Sequence, residues 1–288
     1  MSHAIPLQVG AVAKVYDRTA AECLERITAC GLHLCHLGGV SDALLFGPER
    51  ASRVAAFRRE LAAREIAVSA VWVPYRGQAG GFWDGPPTLG LVPEATRAER
   101  MVRNCMASQL AAELGVDTLA AHVGFIPQED GDCYRRFVAD MRRFLEFCQN
   151  QGQRFIFETG QEPVAVLERF FRDLEMPNIG LNFDPANLLI YNFDEPSALV
   201  DRLGARVVNM HIKDGRRPSQ PATLGDEERV GEGDAQVLEQ IRRLHREFGY
   251  TGPLVIEREI ADEAQQQADI RGTAALLEGL RRELGVAK

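Results

Sequence analysis

Residues 153–184, QRFIFETGQEPVAVLERFFRDLEMPNIGLNFD, decide the fold. An apolar run at 153–158 ends on an acid, Glu158, and a second at 178–184 ends on another, Asp184. Apolar side chains at helical spacing separate them, so the stretch predicts two parallel strands joined by a helical crossover. The same alternation extends outward in both directions. Short apolar or β-branched runs lie near 5–12, 32–37, 66–73, 117–123, 206–212 and 253–257. Helical stretches stand between them, among them ERASRVAAFRRELAARE, ATRAERMVRNCMASQLAAELG and DCYRRFVADMRRFLEFCQNQG. Gly31, Gly115, Gly152 and Gly249 follow such stretches, where a helix commonly ends on a left-handed residue. With a last helix at about 265–284, eight strand-then-helix units predict a single (β/α)₈ TIM barrel over residues 1–288, of α/β class. The first βα turn, GAVAKVYD, lacks GxGxxG, which argues against a dinucleotide-binding open sheet.

The bulk properties agree with a barrel. The chain has 288 residues, 45% hydrophobic and 26% charged, enough for a core that needs no staples. A net charge of −8 disfavours phosphate backbones, so no nucleic-acid partner is expected. Cys23, Cys30, Cys35, Cys105, Cys133 and Cys148 lack paired close spacing and read as reduced thiols. The N-terminus shows no signal-peptide pattern and no run is long enough to span a bilayer, so a cytoplasmic protein with no membrane partner is expected.

Two connections, 74–92 after the third strand and 214–233 after the seventh, are longer than a barrel requires. Both fall on the face where barrel enzymes build their sites. The first carries Phe82 and Trp83 and reads as a candidate lid. Chemistry concentrates at four strand ends. Glu158, Asp184, His211 and Glu257 are separated by 26, 27 and 46 residues, roughly one βα unit each. Each follows apolar strand and precedes loop, so all four should meet at one mouth. Three carboxylates and an imidazole in an apolar barrel are costly unless a cation neutralises them, and they suit one divalent ion. Mn²⁺ leads, with Mg²⁺, Co²⁺ or Zn²⁺ as alternatives. Lys213 shares the phase of His211, and His122 in LAAHVGF ends the fourth strand, so both are candidates to touch substrate.

The segments FETGQE, NFDPANLL, NMHIKDG, GEGD at 231–234 and IERE at 256–259 resemble the sugar phosphate isomerase/epimerase group of xylose-isomerase-like barrels, ketose 3-epimerases in particular. The resemblance implies that Glu158, Asp184, His211 and Glu257 hold the metal. It also implies that Glu158 and Glu257 are catalytic, moving a proton next to a carbonyl through a metal-stabilised enediolate. Trp83, Asn187 and Arg217 (or Arg216) join Lys213 and His122 as substrate-binding candidates. Asn187 stands where many ketose 3-epimerases have a histidine, which leaves the metal set intact and puts the substrate in question. A small sugar is the expected partner, and pairing or tetramer formation is common in such barrels.

Three other functions compete. A dehydratase or eliminase acting on keto-inositols or 3-keto sugars would start with the same proton abstraction. An apurinic endonuclease shares the barrel but needs a three-zinc cluster. Trp72-Val73-Pro74-Tyr75, Asn187 and Glu227-Glu228-Arg229 lack the histidines for that cluster. A sugar- or metal-binding sensor is the non-catalytic alternative.

Overall fold

The computed structural model describes residues 5–287 except Pro74 and Phe82. The strands are β1 (Val9–Lys14), β2 (Leu34–Gly38), β3 (Ala67–Trp72), β4 (Thr118–Ala121), β5 (Arg154–Glu158), β6 (Ile179–Phe183), β7 (Val207–Ile212), β8 (Asp214–Arg216), β9 (Asp226–Glu228) and β10 (Leu254–Ile256). The helices are α1 (Ala20–Thr28), α2 (Asp42–Leu45), α3 (Arg50–Ala63), α4 (Glu94–Leu114), α5 (Asp132–Asn150), α6 (Val164–Leu174), α7 (Pro185–Ile190), α8 (Pro196–Leu203), α9 (Val237–Phe248) and α10 (Glu263–Glu283). Strands β1 to β7 and β10 close into one parallel barrel, with β10 pairing both β1 and β7. The predicted (β/α)₈ barrel is the observed fold.

Local signals place the helices. Thr19 caps α1 in a reciprocal capping box with Glu22, and Asp262 caps α10 through the amides of Ala264 and Gln265. Gly115 and Gly249 end α4 and α9 in the left-handed region, at φ 74° and 67°. The first strand is displaced from the expected 5–12 because Leu7 takes φ 50°, which breaks the extended path before Val9. No helix among the described residues is long and apolar enough to cross a membrane, and all six cysteines are free.

Strand alternation divides the side chains between two cores. Outward residues such as Phe155, Phe157 and Leu181 pack on Phe137, Phe144, Phe170 and Phe171 from the helices. Inside the barrel, Ala70, Ala120 and Ile156 make a small apolar plug against which Trp72 and Val208 pack. Two register shifts set which residues face in. Between β6 and β7, Leu181 pairs Val207 but Asn182 pairs Asn209, so Val208 is an extra residue. That extra residue resets the phase, leaving Met210 and Ile212 in the outer core while Asn209 and His211 turn inward. A matching shift between β2 and β3 skips Ser69, next to His36.

The long connections are more ordered than expected. Residues 214–233 do not hang as a loop, since β8 and β9 pair antiparallel at their start and middle. The cause is Asp214, whose buried carboxylate accepts from the amides of Gly215, Gly231, Gly233 and Ala235. A Cβ at Gly233 would stand 2.3 Å from Asp214 Oδ1, so the GEGD glycine is required by close approach. In the first connection, Arg97 donates to the carbonyls of Leu91 and Val92, and Arg100 to that of Gly90. Those buried arginines pin its end to α4. Trp83 stands 83% exposed, and Phe82 lies outside the described residues.

Candidate metal centre

Glu158 closes β5, Asp184 follows β6 directly, His211 lies one residue from the end of β7, and Glu257 follows β10 directly. One ligand atom from each lies within 4.8 Å of every other. Glu158 and His211 are each 1% exposed and Asp184 is fully buried. His211 Nδ1 is 3.1 Å from Glu158 Oε1 and 3.4 Å from Glu257 Oε2. Neither approach has hydrogen-bond alignment, and His211 Nδ1 and Asp184 Oδ2 are buried without a hydrogen-bond partner among the described residues. Two orphaned donor atoms facing two more carboxylates are what a site for a shared cation requires.

Surrounding amides and one ammonium hold these groups. Asn182, itself held by Asn209 at 2.6 Å, donates to Glu158 Oε2. Asn187 donates to Glu158 Oε1 at 3.4 Å, and its backbone N–H donates to Asp184 Oδ1 at 3.0 Å, so Asp184 also caps α7. Thr159 links the two acids through both polar atoms of the Asp184 backbone. Lys213 Nζ lies 2.6 Å from Glu259, 3.3 Å from Glu257, 3.5 Å from Asn187 Oδ1 and 3.9 Å from Asp184. It pairs with these groups, while its neighbour Asp214 is turned to the backbone amides of its own loop.

The electrostatics follow from that arrangement. Burial, then the charges of Glu158 and Glu257, raise the Asp184 carboxyl well above its ordinary range, against the pull of Lys213. Burial works against the Glu257 carboxylate as well, but Lys213 and His211 outweigh it and hold Glu257 well below the usual value. For His211, burial opposes the charged form, and the carboxylates of Glu158 and Glu257 reverse the balance, raising it well above 6.5. Four carboxylates, Glu158, Asp184, Glu257 and Glu259, gather near one ammonium here, and a divalent cation would offset the excess.

A cavity of about 150 Å³ opens beside the cluster, lined in part by Lys14, His36, Trp72, His122, His211, Glu257 and Glu259. His122 lies at its wall, with Nδ1 3.0 Å from Gln161 Oε1 and its ring edge-on to Trp72 at 5.0 Å. Of the expected substrate contacts, His122, Asn187 and Lys213 therefore gather at the cluster or its cavity. Arg217 instead binds Asn192, the Asp194 carbonyl and Glu195 at the rim, which occupies its guanidinium. Trp83 is turned to solvent. Sequence reasoning overlooked His36, Asn182, Asn209 and Glu259. The first three carry a signal that could have found them, a polar residue in inward phase on an apolar strand.

Comparison with known proteins agrees with this architecture. The family model described as xylose isomerase-like TIM barrel matches residues 24–281, and the chain belongs to that family. No curated protein matches the sequence. Among solved structures, a xylose isomerase domain protein from Planctomyces limnophilus is 28% identical with a TM-score of 0.90, covering 99% of this chain and 100% of its own. A xylose isomerase-like TIM barrel protein from Mycobacterium smegmatis, in complex with magnesium, is 18% identical with a TM-score of 0.71, covering 94% and 95%. The 3-keto-D-glucoside 4-epimerase YcjR from E. coli is 16% identical with a TM-score of 0.69, covering 95% and 99%. The last two likenesses are of fold.

Proposed function

We propose that this chain is a divalent-metal-dependent sugar isomerase or epimerase, with Glu158, Asp184, His211 and Glu257 holding one Mn²⁺ or Mg²⁺ ion. The observation that carries the reading is the meeting of four donor atoms within 4.8 Å, two of them buried and unpartnered. When bound, such a cation supplies Lewis-acid stabilisation of negative charge developing on substrate oxygens. The residues supply the proton chemistry. Either Glu158 or Glu257 takes the proton from carbon beside the carbonyl, and the C–H electron pair moves toward the carbonyl oxygen. The other, carrying a proton at the start of the turnover, delivers it to the opposite face, which inverts the centre; delivery to the former carbonyl carbon, with the hydroxyl proton passing to the neighbouring oxygen, gives an isomer instead. Asn182 and Asn187 hold Glu158, and Lys213 holds Glu257 ionised and ready to accept. His122 and Trp72 wall the cavity, and Lys213 can donate to a substrate oxygen. The absence of a glycine-rich phosphate cradle favours a small unphosphorylated ketose.

A second reading, elimination from a keto-inositol or 3-keto sugar, draws support from an ammonium, Lys213, beside the base Glu257, where it could assist a departing oxygen. Incubation of the Mn²⁺-loaded protein with ketoses and 3-keto sugars in D₂O separates the two. Deuterium incorporated without loss of water or a glycosyl group supports epimerisation or isomerisation, and a product lighter by water supports elimination. No exchange and no product across the panel would refute both.

A further inference from the structure

A histidine outside the four-residue cluster reaches it across the barrel. His36 stands on β2, His211 on β7, and β1 and β10 lie between those strands on one side of the barrel wall. His211 Nε2 nevertheless meets His36 Nδ1 at 3.1 Å, with ring centroids 5.1 Å apart and planes inclined at 57°. His36 is fully buried. Trp72 braces both rings, at 5.7 Å from His36 and stacked at 5.9 Å on His211. The register shift beside His36 keeps these neighbouring strands in the phase that lets Trp72 and His36 share the interior.

We infer that His36 is a positioning residue: by accepting a hydrogen bond from His211 Nε2–H, it fixes the tautomer and ring orientation that leave Nδ1 free to ligate the cation. The inference rests on the metal reading above and adds a residue to it. Nδ1 is the nitrogen between Glu158 and Glu257, so in the ligating form it carries the lone pair and Nε2 carries the hydrogen. A buried N–H needs an acceptor, and the atom at hydrogen-bond distance is His36 Nδ1. Carboxylates and backbone carbonyls usually fill this place behind a metal-bound histidine. Here a neutral imidazole does so, which adds no charge to a site already rich in carboxylates. His36 is then protonated at Nε2, an atom without a partner among the described residues, on a side chain that lines the cavity beside the cluster, where a substrate or water oxygen must accept that hydrogen.

The test compares Mn²⁺ affinity, by calorimetry on metal-stripped full-length chain, for the unaltered protein, His36→Leu and His36→Asn. Leucine keeps the bulk and removes the acceptor, so affinity should fall about 10- to 100-fold. Asparagine places Oδ1 near the position of Nδ1 and should restore most of it. Equal affinity in all three would overturn the inference alone, whereas no Mn²⁺ uptake by the unaltered chain would overturn the metal reading and this one together. Should either variant fail to fold, long-range ¹H–¹⁵N correlation on the unaltered Mg²⁺-loaded protein decides. His211 and His36 both protonated at Nε2 supports the assignment, and His36 protonated at Nδ1 overturns it.

Discussion

Without metal, Asp184→Asn should stabilise this protein, and Glu257→Gln should destabilise it, although both remove one carboxylate from the same cluster. Asp184 is fully buried, and its Oδ2 has no hydrogen-bond partner among the described residues. Lys213 and His211 attract it while Glu158 and Glu257 repel it. At 4–5 Å and an effective dielectric of about 20, each such pair is worth about 3–4 kcal/mol, so two attractions and two repulsions largely offset one another. What remains is desolvation, about 1–3 kcal/mol for a buried polar group left unpaired. Asparagine keeps Oδ1 to cap α7 through Asn187 and replaces the orphaned oxygen with donors facing carboxylates. The melting temperature in EDTA should therefore rise by roughly 2–12 °C, at about 2–4 °C per kcal/mol for a chain of about this size. The size of the gain depends on pH. Because the folded carboxyl titrates above its unfolded value, the gain is absent below about pH 3, where both states are protonated, and grows as pH rises toward the folded value. Glu257, held low by Lys213 at 3.3 Å and His211, contributes stability at neutral pH that is lost as pH falls through its folded value, and glutamine forfeits it. Scanning calorimetry with EDTA and with excess Mn²⁺ provides the assay. Saturating metal should stabilise the unaltered chain, by about 2.7 kcal/mol at a hundredfold excess over Kd, and stabilise Asp184→Asn much less. If Asp184→Asn melts lower than the parent in EDTA, the carboxylate is already compensated and the charge argument fails.

Other outcomes follow from the same geometry. Glu158→Gln and Glu257→Gln should each cut solvent-deuterium exchange by at least about 100-fold, the scale of a lost general base, with far-ultraviolet circular dichroism unchanged; full exchange in either removes that residue from the proton transfer. Since Glu158 and Glu257 overcome burial to favour protonated His211, and burial favours protonated Asp184, in the metal-free protein, cation uptake should expel protons. Mn²⁺ affinity should then rise with pH near neutrality, and calorimetry in buffers of different ionisation enthalpy would detect a contrary value of zero protons released. Asp214→Ala strips the acceptor from four backbone amides and should cost about 3 kcal/mol or more, with faster hydrogen exchange concentrated in 215–235. Uniform exchange would contradict that role.

The eight-unit alternation, the barrel and the meeting of Glu158, Asp184, His211 and Glu257 were legible in the chain itself, because strand period and strand ends are local properties that hydrophobic spacing records. Polar residues two apart, as in Asn209, His211 and Lys213, even betray the inward phase of β7. Tertiary structure alone decided the rest. The extra Val208 that resets that phase is defined only against β6, and the contact of His36 with His211 joins residues 175 positions apart across a closed wall. The partners of Arg217 belong here too: a rim arginine is free or occupied according to what Asn192, Asp194 and Glu195 bring to it. Spacing along a chain reports which face a side chain takes, whereas its partner across the barrel depends on how the sheet closes.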